Sequence, residues 1–252
     1  MSDKPHWPEG VARHVLTLTD STNAYAFRLA TALTGPAWIL AYEQTAGRGR
    51  RARVWSSPRG NFHATLLMRP SEPAARVALR SFAAALALRD AFVALTGLEA
   101  AFTLKWPNDV LLNGGKVAGI LLESVAEGEG VALLAIGIGV NLIAAPDPGL
   151  LEAGAVPPVT LLAETGMRVS AEALLDHLAP AYARWEAVFM AEGFAPLRAA
   201  WLSHAARLGE VIRARTGTQS REGRFETIDQ TGALILATDH GRTAIPAAEV
   251  FF

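Results

Sequence analysis

The chain has no cysteine among its 252 residues, which excludes disulfides, thiolate nucleophiles and zinc–thiolate sites. Its six histidines (His6, His14, His63, His177, His204 and His240) show no ligand-like spacing, so a protein-bound transition metal is not expected. No apolar run reaches the ~18–20 residues of a membrane span. The first ten residues lack the basic start and apolar stretch of a secretory leader. An excess of charge is missing too, since 23 Lys+Arg against 24 Asp+Glu leave a formal −1. With no second basic stripe and no nucleic-acid motif, a nucleic-acid-binding module is disfavoured. There is no internal repeat or low-complexity tail. What remains is an ordinary globular composition, 51% hydrophobic and 19% charged, long enough for one large domain or one plus a small appendage. A reducing, cytoplasmic setting is the expectation.

On this neutral background one stretch is unusual, Tyr42 to Asn61, Y-E-Q-T-A-G-R-G-R-R-A-R-V-W-S-S-P-R-G-N. Arg48, Arg50, Arg51 and Arg53 are interleaved with Gly47 and Gly49, and Arg59 precedes Gly60. Glycines let backbone N–H groups come close to a ligand. Arginine forks bind phosphate and carboxylate oxygens bidentately. A loop of about 17 residues between strands at 37–43 and 61–68 is longer than a compact domain needs, as binding segments often are. The composition describes a loop that closes over an anion; a solvated arginine patch is the plainer alternative.

The rest of the chain predicts the scaffold. A first strand over 11–18 leads to Asp20-Ser21-Thr22-Asn23, a cluster of helix-capping residues, and a helix to about Leu33. Capping needs only one of them; three adjacent polar side chains at a helix start can also bind a polar ligand. A long, mostly apolar helix is expected over 74–96 and is assigned to the core. Strands at 102–106, 110–112, 116–124 and 131–140, joined by short turns such as Asn113-Gly114, predict an antiparallel meander. Gly137 and Gly139 share one face of the last of these, where they admit close approach to the sheet. A Pro/Gly-rich loop at 144–158 and helices at 160–164, 171–191 and 195–206 follow. Short strands at 209–216, 223–229, 233–238, 242–245 and 250–252, with turns at Thr216-Gly217, 230–232 and 240–241, then suggest a small β-barrel of SH3-like size.

Lys105, Asn108, Asp109, Lys116 and Asn141 lie near strand ends of the meander. Each has a plain reading as turn chemistry or solvated charge. Together they suggest more: a meander can bring 107–109 and 141 together, Asp109 is the carboxylate there that could meet Mg²⁺, and the lysines could neutralise a polyphosphate. No P-loop or kinase signature is present, so a nucleotide would be held by another architecture.

These segments resemble the biotin–protein ligases. The resemblance rests on Ser21-Thr22-Asn23, on E-Q-T-A-G-R-G-R-R-A-R-V-W-S-S-P-R-G-N from Glu43 to Asn61, and on K-W-P-N-D from Lys105 to Asp109. K-V-A-G-I-L-L-E from Lys116 to Glu123 and G-I-G-V-N from Gly137 to Asn141 complete the family order. It implies an α+β fold, a mixed and largely antiparallel sheet flanked by helices, related to class II aminoacyl-tRNA synthetases. Residues 1–206 would be the ligase domain and 207–252 a C-terminal SH3-like β-barrel. The activity implied has two steps. Biotin is activated with MgATP as biotinyl-5′-AMP, and the biotinyl group then passes to one lysine of a biotin carboxyl carrier domain.

By position, the resemblance gives Ser21, Thr22, Asn23 and Gln44 to the biotin ureido head, with Gly119 also lining the biotin pocket. Gly47, Arg48, Gly49 and Arg50 form the adenylate loop, the two arginines holding carboxylate and phosphate. Arg51, Arg53 and Trp55 close it over the nucleotide. Lys116 would be the main electrostatic catalyst, with Lys105 and Asp109 managing phosphate and magnesium and Asn108 and Asn141 reading adenine. Ala52 stands where the family commonly has glycine. Only 20 residues precede Ser21, too few for the winged-helix domain many relatives carry, so repressor function and DNA partners are not expected. Relatives often dimerise, and a homodimer is an expectation here. The rivals are a lipoate or octanoate ligase on the same fold and a non-catalytic adenylate sensor. The arginine loop and K-W-P-N-D favour biotin over the first; the presence of Lys116 and Arg48 speaks against the second.

Overall fold

The structure, a computed structural model, describes residues 5–147, 154–216, 219–246 and 248–251. Part of the expected loop at 144–158, Gly217 of the expected turn, and Phe252 of the last expected strand lie outside them. The element order is β1 (Ala12–Leu16), α1 (Thr22–Leu29), β2 (Ala37–Ala41), β3 (Phe62–Met68), α2 (Ala74–Ala78), α3 (Arg80–Thr96), β4 (Phe102–Lys105), β5 (Asp109–Leu112), β6 (Gly115–Glu127) and β7 (Gly130–Val140). Then come α4 (Leu161–Thr165), α5 (Ala171–Glu192), α6 (Phe194–Ser203), β8 (Val211–Thr216), β9 (Gln219–Ile228), β10 (Leu234–Thr238), β11 (Gly241–Ile245) and β12 (Glu249–Phe251).

β1 to β7 form one mixed sheet in the order β1-β2-β3-β7-β6-β5-β4. Only the β1–β2 pair is parallel; the meander β4 to β7 is antiparallel throughout, as its short turns require. Strand alternation sorts the side chains onto two faces. Phe62, Ala64 and Leu66 of β3, Ile120 of β6, and Leu134, Ile136 and Ile138 of β7 point into the main core with α3, α5 and α6. The opposite face carries α1 over a smaller cluster of Ala26, Ala30, Ala37, Ile39 and Leu67. Toward β4, that second face carries polar groups and glycines instead. Among the described residues, no helix is long and apolar enough to cross a membrane.

The single long helix expected over 74–96 divides at Leu79. Tightened i→i+3 bonds, Leu79 N to Arg76 O at 3.2 Å and Phe82 N to Leu79 O at 3.0 Å, end α2 and restart α3. Arg80, 1% exposed, is held there by Glu72 at 2.8 Å and Glu186 at 2.7 Å.

β8 to β12 form a second, antiparallel sheet in the order β11-β10-β9-β8-β12. The small barrel expected from the strand spacing is therefore present as an open sheet, with no pairing of β11 to β12 among the described residues. It docks firmly. The turn at Gly232, in the left-handed region at φ +84°, sits against Leu79 and Phe82, and the Gly232 carbonyl accepts from Trp106 Nε1 at 3.0 Å. Arg198 of α6 donates to Thr227 Oγ1 at 3.1 Å and to the Ile228 carbonyl.

Candidate active site

A cavity of about 660 Å³ opens between the second face of the large sheet, the N-terminus of α1, the arginine loop and β12. Cross-strand register builds its floor. Lys105, Asp109, Gly119, Gly139 and His63 are successive partners across β4, β5, β6, β7 and β3, so their side chains share one transverse row. The two glycines in the middle leave a notch. The Trp55 indole fills it: a Cβ on Gly139 would lie 2.4 Å from Trp55 Nε1, and one on Gly119 would lie 3.2 Å from the ring.

Lys116 reaches this face through a β-bulge. Val110 pairs with Ala118 but Leu111 pairs with Lys116, so Val117 is the extra residue. Strict alternation from Gly119 would put Lys116 on the core face. The bulge buries Val117 and Ala118 together in the core and turns Lys116 back to the cavity. Its Nζ lies 2.7 Å from Asp109 Oδ1 and 5.6 Å from the centre of a Trp55 ring. Lys105 Nζ is 3.7 Å from Asp109 Oδ2. Burial works against the Asp109 charge, but Lys116, Lys105 and Arg50 outweigh it and hold the carboxyl below its ordinary range. Burial lowers the Lys105 ammonium, with Asp109 opposing.

At the other end of the cavity, Ser21 is the N-cap of α1 but its hydroxyl makes no capping bond. The cap reading of 21–23 therefore fails, because the neighbouring side chains are drawn into a polar wall. Gln44 Oε1 accepts from the Thr22 amide at 2.7 Å, and Gln44 Nε2 donates to Ser57 Oγ at 2.8 Å. Asn23 settles onto bare Gly137, where a Cβ would lie 2.4 Å from Asn23 Oδ1.

The arginine loop folds back on itself, with Arg48 bridged to Val54 and a single 3-10 turn at Arg50–Ala52. Arg51 (φ +55°) and Ala52 (φ +56°) are both left-handed. Ala52 thus occupies a conformation glycine adopts freely, at a cost of roughly 1–2 kcal/mol for a residue with a Cβ. This gives a physical reason for a glycine at that place. Acidic side chains hold the loop's charges. Arg48 Nη2 lies 3.3 Å from Glu123 Oε1, Arg51 Nη1 lies 3.1 Å from Glu249 Oε2, and Arg53 also pairs with Glu249. Arg50 donates to the Ala248 carbonyl at 3.3 Å, and burial lowers its pKa despite Asp109.

Of the residues singled out from sequence, Ser21, Thr22, Asn23, Gln44, Arg48, Gly49, Arg50, Arg51, Arg53, Trp55, Lys105, Asn108, Asp109, Lys116, Gly119 and Asn141 all line this one cavity. Gly47 does not. It is buried behind the wall, where a Cβ would lie 2.4 Å from Ser57 Oγ and 2.6 Å from the Trp55 carbonyl, so it shapes the loop without facing a ligand. Asn108 is partly used by the fold: its amide donates to the Ile120 carbonyl, and Arg50 Nη1 lies 3.5 Å from its oxygen. Sequence reasoning missed Ser57, Thr65, Glu123 and Glu249. Glu123 closes a motif noticed for its other residues; Glu249 carries no local signal and arrives by tertiary docking.

Cations line a glycine-floored notch, with a polar wall at one end and an arginine loop above, an arrangement suited to anionic ligands. Residues 15–141 match the Biotin/lipoate A/B protein ligase family, and residues 208–252 match the Biotin protein ligase C terminal domain. The chain is 60% identical over 238 residues to a biotin--[acetyl-CoA-carboxylase] ligase of Paracoccus denitrificans, covering 94% of this chain and 99% of that one. It is 34% identical to the bifunctional ligase/repressor BirA of Bacillus spizizenii over 84% of this chain and 65% of the relative. A solved biotin protein ligase from Aquifex aeolicus, in complex with biotin and ATP, superposes with a TM-score of 0.81 at 25% identity, covering 95% and 97% of the two chains. The chain belongs to the biotin protein ligase family.

Proposed function

We propose that this chain activates biotin with ATP and transfers it to a carrier lysine, and that the cavity residues divide that work as follows. A biotin carboxylate oxygen attacks the α-phosphorus, the bond to the β-phosphate oxygen breaks, and pyrophosphate leaves. The carrier's ε-amine then attacks the acyl carbon of biotinyl-5′-AMP, AMP departs, and the amine loses a proton. The first step brings two anions together, so neutralisation and alignment make up most of the catalysis. Lys116 stands where both can reach it, held by Asp109 until substrate anions compete for the ammonium. Arg48 and Arg50 take the carboxylate and phosphate, while Arg51, Arg53 and Trp55 cover the adenylate and keep water from it. Lys105 steadies phosphate, and Asn108 and Asn141 face the base. Thr22, Asn23 and Gln44 read the ureido head, which a dithiolane or plain acyl acid lacks.

The observation that carries this reading is the convergence of those residues on one cavity of about 660 Å³, within the size range of small-molecule sites. Magnesium would enter with the nucleotide, which needs only one or two carboxylates beside its phosphates. Asp109 would be its protein ligand. No group of three His, Cys, Asp or Glu side chains among the described residues forms a site for a resident ion. The acceptor proposed is the carrier domain of acetyl-CoA carboxylase, in the cytoplasm. The SH3-like character of the 207–252 segment, its separation from 1–206, and homodimerisation belong to the same proposal.

ATP–pyrophosphate exchange tests it. Biotin is expected to stimulate exchange while lipoate and octanoate do not; exchange driven by either of those acids, or by none, would remove the assignment. Gly137→Ala supplies a second check. The added Cβ meets Asn23, and since that wall residue must move, the biotin KM is expected to rise about tenfold, roughly 1.4 kcal/mol. An unchanged biotin KM would show that Asn23 does not read the ligand from this position.

A further inference from the structure

We infer that Glu123, which stands outside the cavity lining, is a positioning residue that fixes the hydrogen-bond polarity of the wall facing the biotin head. The inference rests on the biotin assignment above. Glu123 belongs to the cavity-side row of β6, two residues beyond Leu121, and its Oε2 accepts from Asn23 Nδ2 at 2.7 Å. An ionised carboxylate can only accept. Asn23 must therefore turn its NH₂ toward Glu123 and its carbonyl toward Thr65. Thr65 Oγ1 lies 2.6 Å from Asn23 Oδ1 and 2.8 Å from Thr22 Oγ1. Its one proton is committed to the Asn23 carbonyl, which leaves it an acceptor toward Thr22.

Thr22 is next in line, and all its donors are used. Its amide N–H goes to Gln44 Oε1 at 2.7 Å. Its hydroxyl proton has only two destinations in the wall, Thr65 Oγ1 at 2.8 Å or Gln44 Oε1 at 3.0 Å. In either case the hydroxyl offers the cavity a lone pair and no proton. Thr22, Asn23 and Thr65 are all buried, at 4%, 4% and 0% exposure, so bulk water cannot reset the order. An acceptor fixed at Thr22 favours a ligand head that donates an N–H group there, as a ureido ring does, and a buried polar group left unpaired disfavours a head without one. The carboxylate at the far end thus sets specificity without touching the ligand.

Glu123 also meets Arg48, 3.3 Å away, and the experiment must separate the two roles. Biotin-dependent exchange is measured for Glu123→Leu, Glu123→Gln and Thr65→Val, with separate KM values for biotin and ATP and a melting temperature for each. Glu123→Leu is expected to raise the biotin KM at least about tenfold while kcat and the ATP KM stay within about twofold. Glu123→Gln, which can still present an oxygen to Asn23, should stay within about threefold of wild type. Thr65→Val breaks the relay without touching Arg48 and should raise the biotin KM as Glu123→Leu does, the double variant adding little. An unchanged biotin KM in Glu123→Leu overturns the inference. So does an unchanged KM in Thr65→Val, which would route the effect through Arg48, and so does a parallel rise in the ATP KM, which would mark a general structural defect. If the wild-type protein gives no biotin-dependent exchange, the biotin assignment fails instead.

Discussion

Lys116→Ala is expected to slow biotin-dependent pyrophosphate exchange by about 10²–10³-fold, the cost typical of losing one preorganised charge-stabilising donor. Negative charge accumulates where the carboxylate meets the α-phosphate, and Lys116 is the cavity ammonium placed by the β6 bulge over the floor of the notch. Its side chain is 29% exposed, so its removal opens no sealed void, and Asp109 keeps Lys105 as a partner. Melting should therefore change much less than turnover. Biotin and ATP should still bind, with the loss concentrated in kcat, because the interaction strengthens as charge develops. Pre-steady-state adenylate formation checks this directly. A variant with wild-type exchange would remove Lys116 from the chemistry and leave it a mere counter-ion of Asp109.

Asp109→Ala should damage the protein itself, by about 3–5 kcal/mol, because it removes the buried carboxylate that faces two lysines. Lys105 is 7% exposed, and Asp109 is the carboxylate paired to both lysines. Asp109→Asn, which keeps shape and a hydrogen-bond acceptor, should cost less. The sign of the pH dependence follows from the direction of the shift. The folded carboxyl is held below its ordinary range, so the unfolded chain binds the proton first on acidification. The stability Asp109 contributes is complete above the ordinary carboxylate pKa and is lost as pH falls through the folded value. Denaturation of wild type and Asp109→Asn across pH 3–7 should show a gap constant near neutrality and closing at the acid end. A gap independent of pH would mean that the pair's charge contributes nothing.

The two variants together separate catalysis from architecture. Lys116 sits on the rim of the ion-paired group and is exposed enough to be lost locally, whereas Asp109 is buried and joins three strands' worth of charge. The same contrast explains the carboxylates around the arginine loop. Glu249 is kept ionised against burial by its bonds to Arg53 and Arg215, so the loop is tethered to β12 across the docked C-terminal sheet. On the proposed roles, an adenylate covered by Arg51 and Arg53 would compete with that tether.

Much of this protein is legible in one dimension because its signals are local. Short turns between apolar runs make the meander antiparallel, since two or three residues cannot carry a chain across a sheet. Gly137 and Gly139, two apart, share a face by the period of the strand. The arginine–glycine loop announces an anion by composition, and its length shows that it does more than connect. Those features pointed to the loop and to the polar strand ends, the resemblance added Gln44, Trp55 and Gly119, and cavity residues such as Asp147, Val156 and Glu249 went unnamed. What alternation could not supply was the facing of Lys116. A bulge depends on how β5 and β6 choose their register, and it reverses the parity of every residue before it. Nor could spacing show that Leu79 would break a continuous helix pattern, or that Gly47 would lie behind the wall it helps to build.

By itself, then, the amino-acid order indicated most of the strands, the antiparallel meander from β4 to β7 and an arginine–glycine loop suited to an anion. Tertiary structure decided which carboxylate holds which cation. Glu123 reaches Arg48 across a separation of 75 residues, and Glu249 reaches Arg53 across 196. Periodicity reports which face a residue takes and is silent about what is packed against that face. Charge partners at such separations are chosen by how the elements dock against one another.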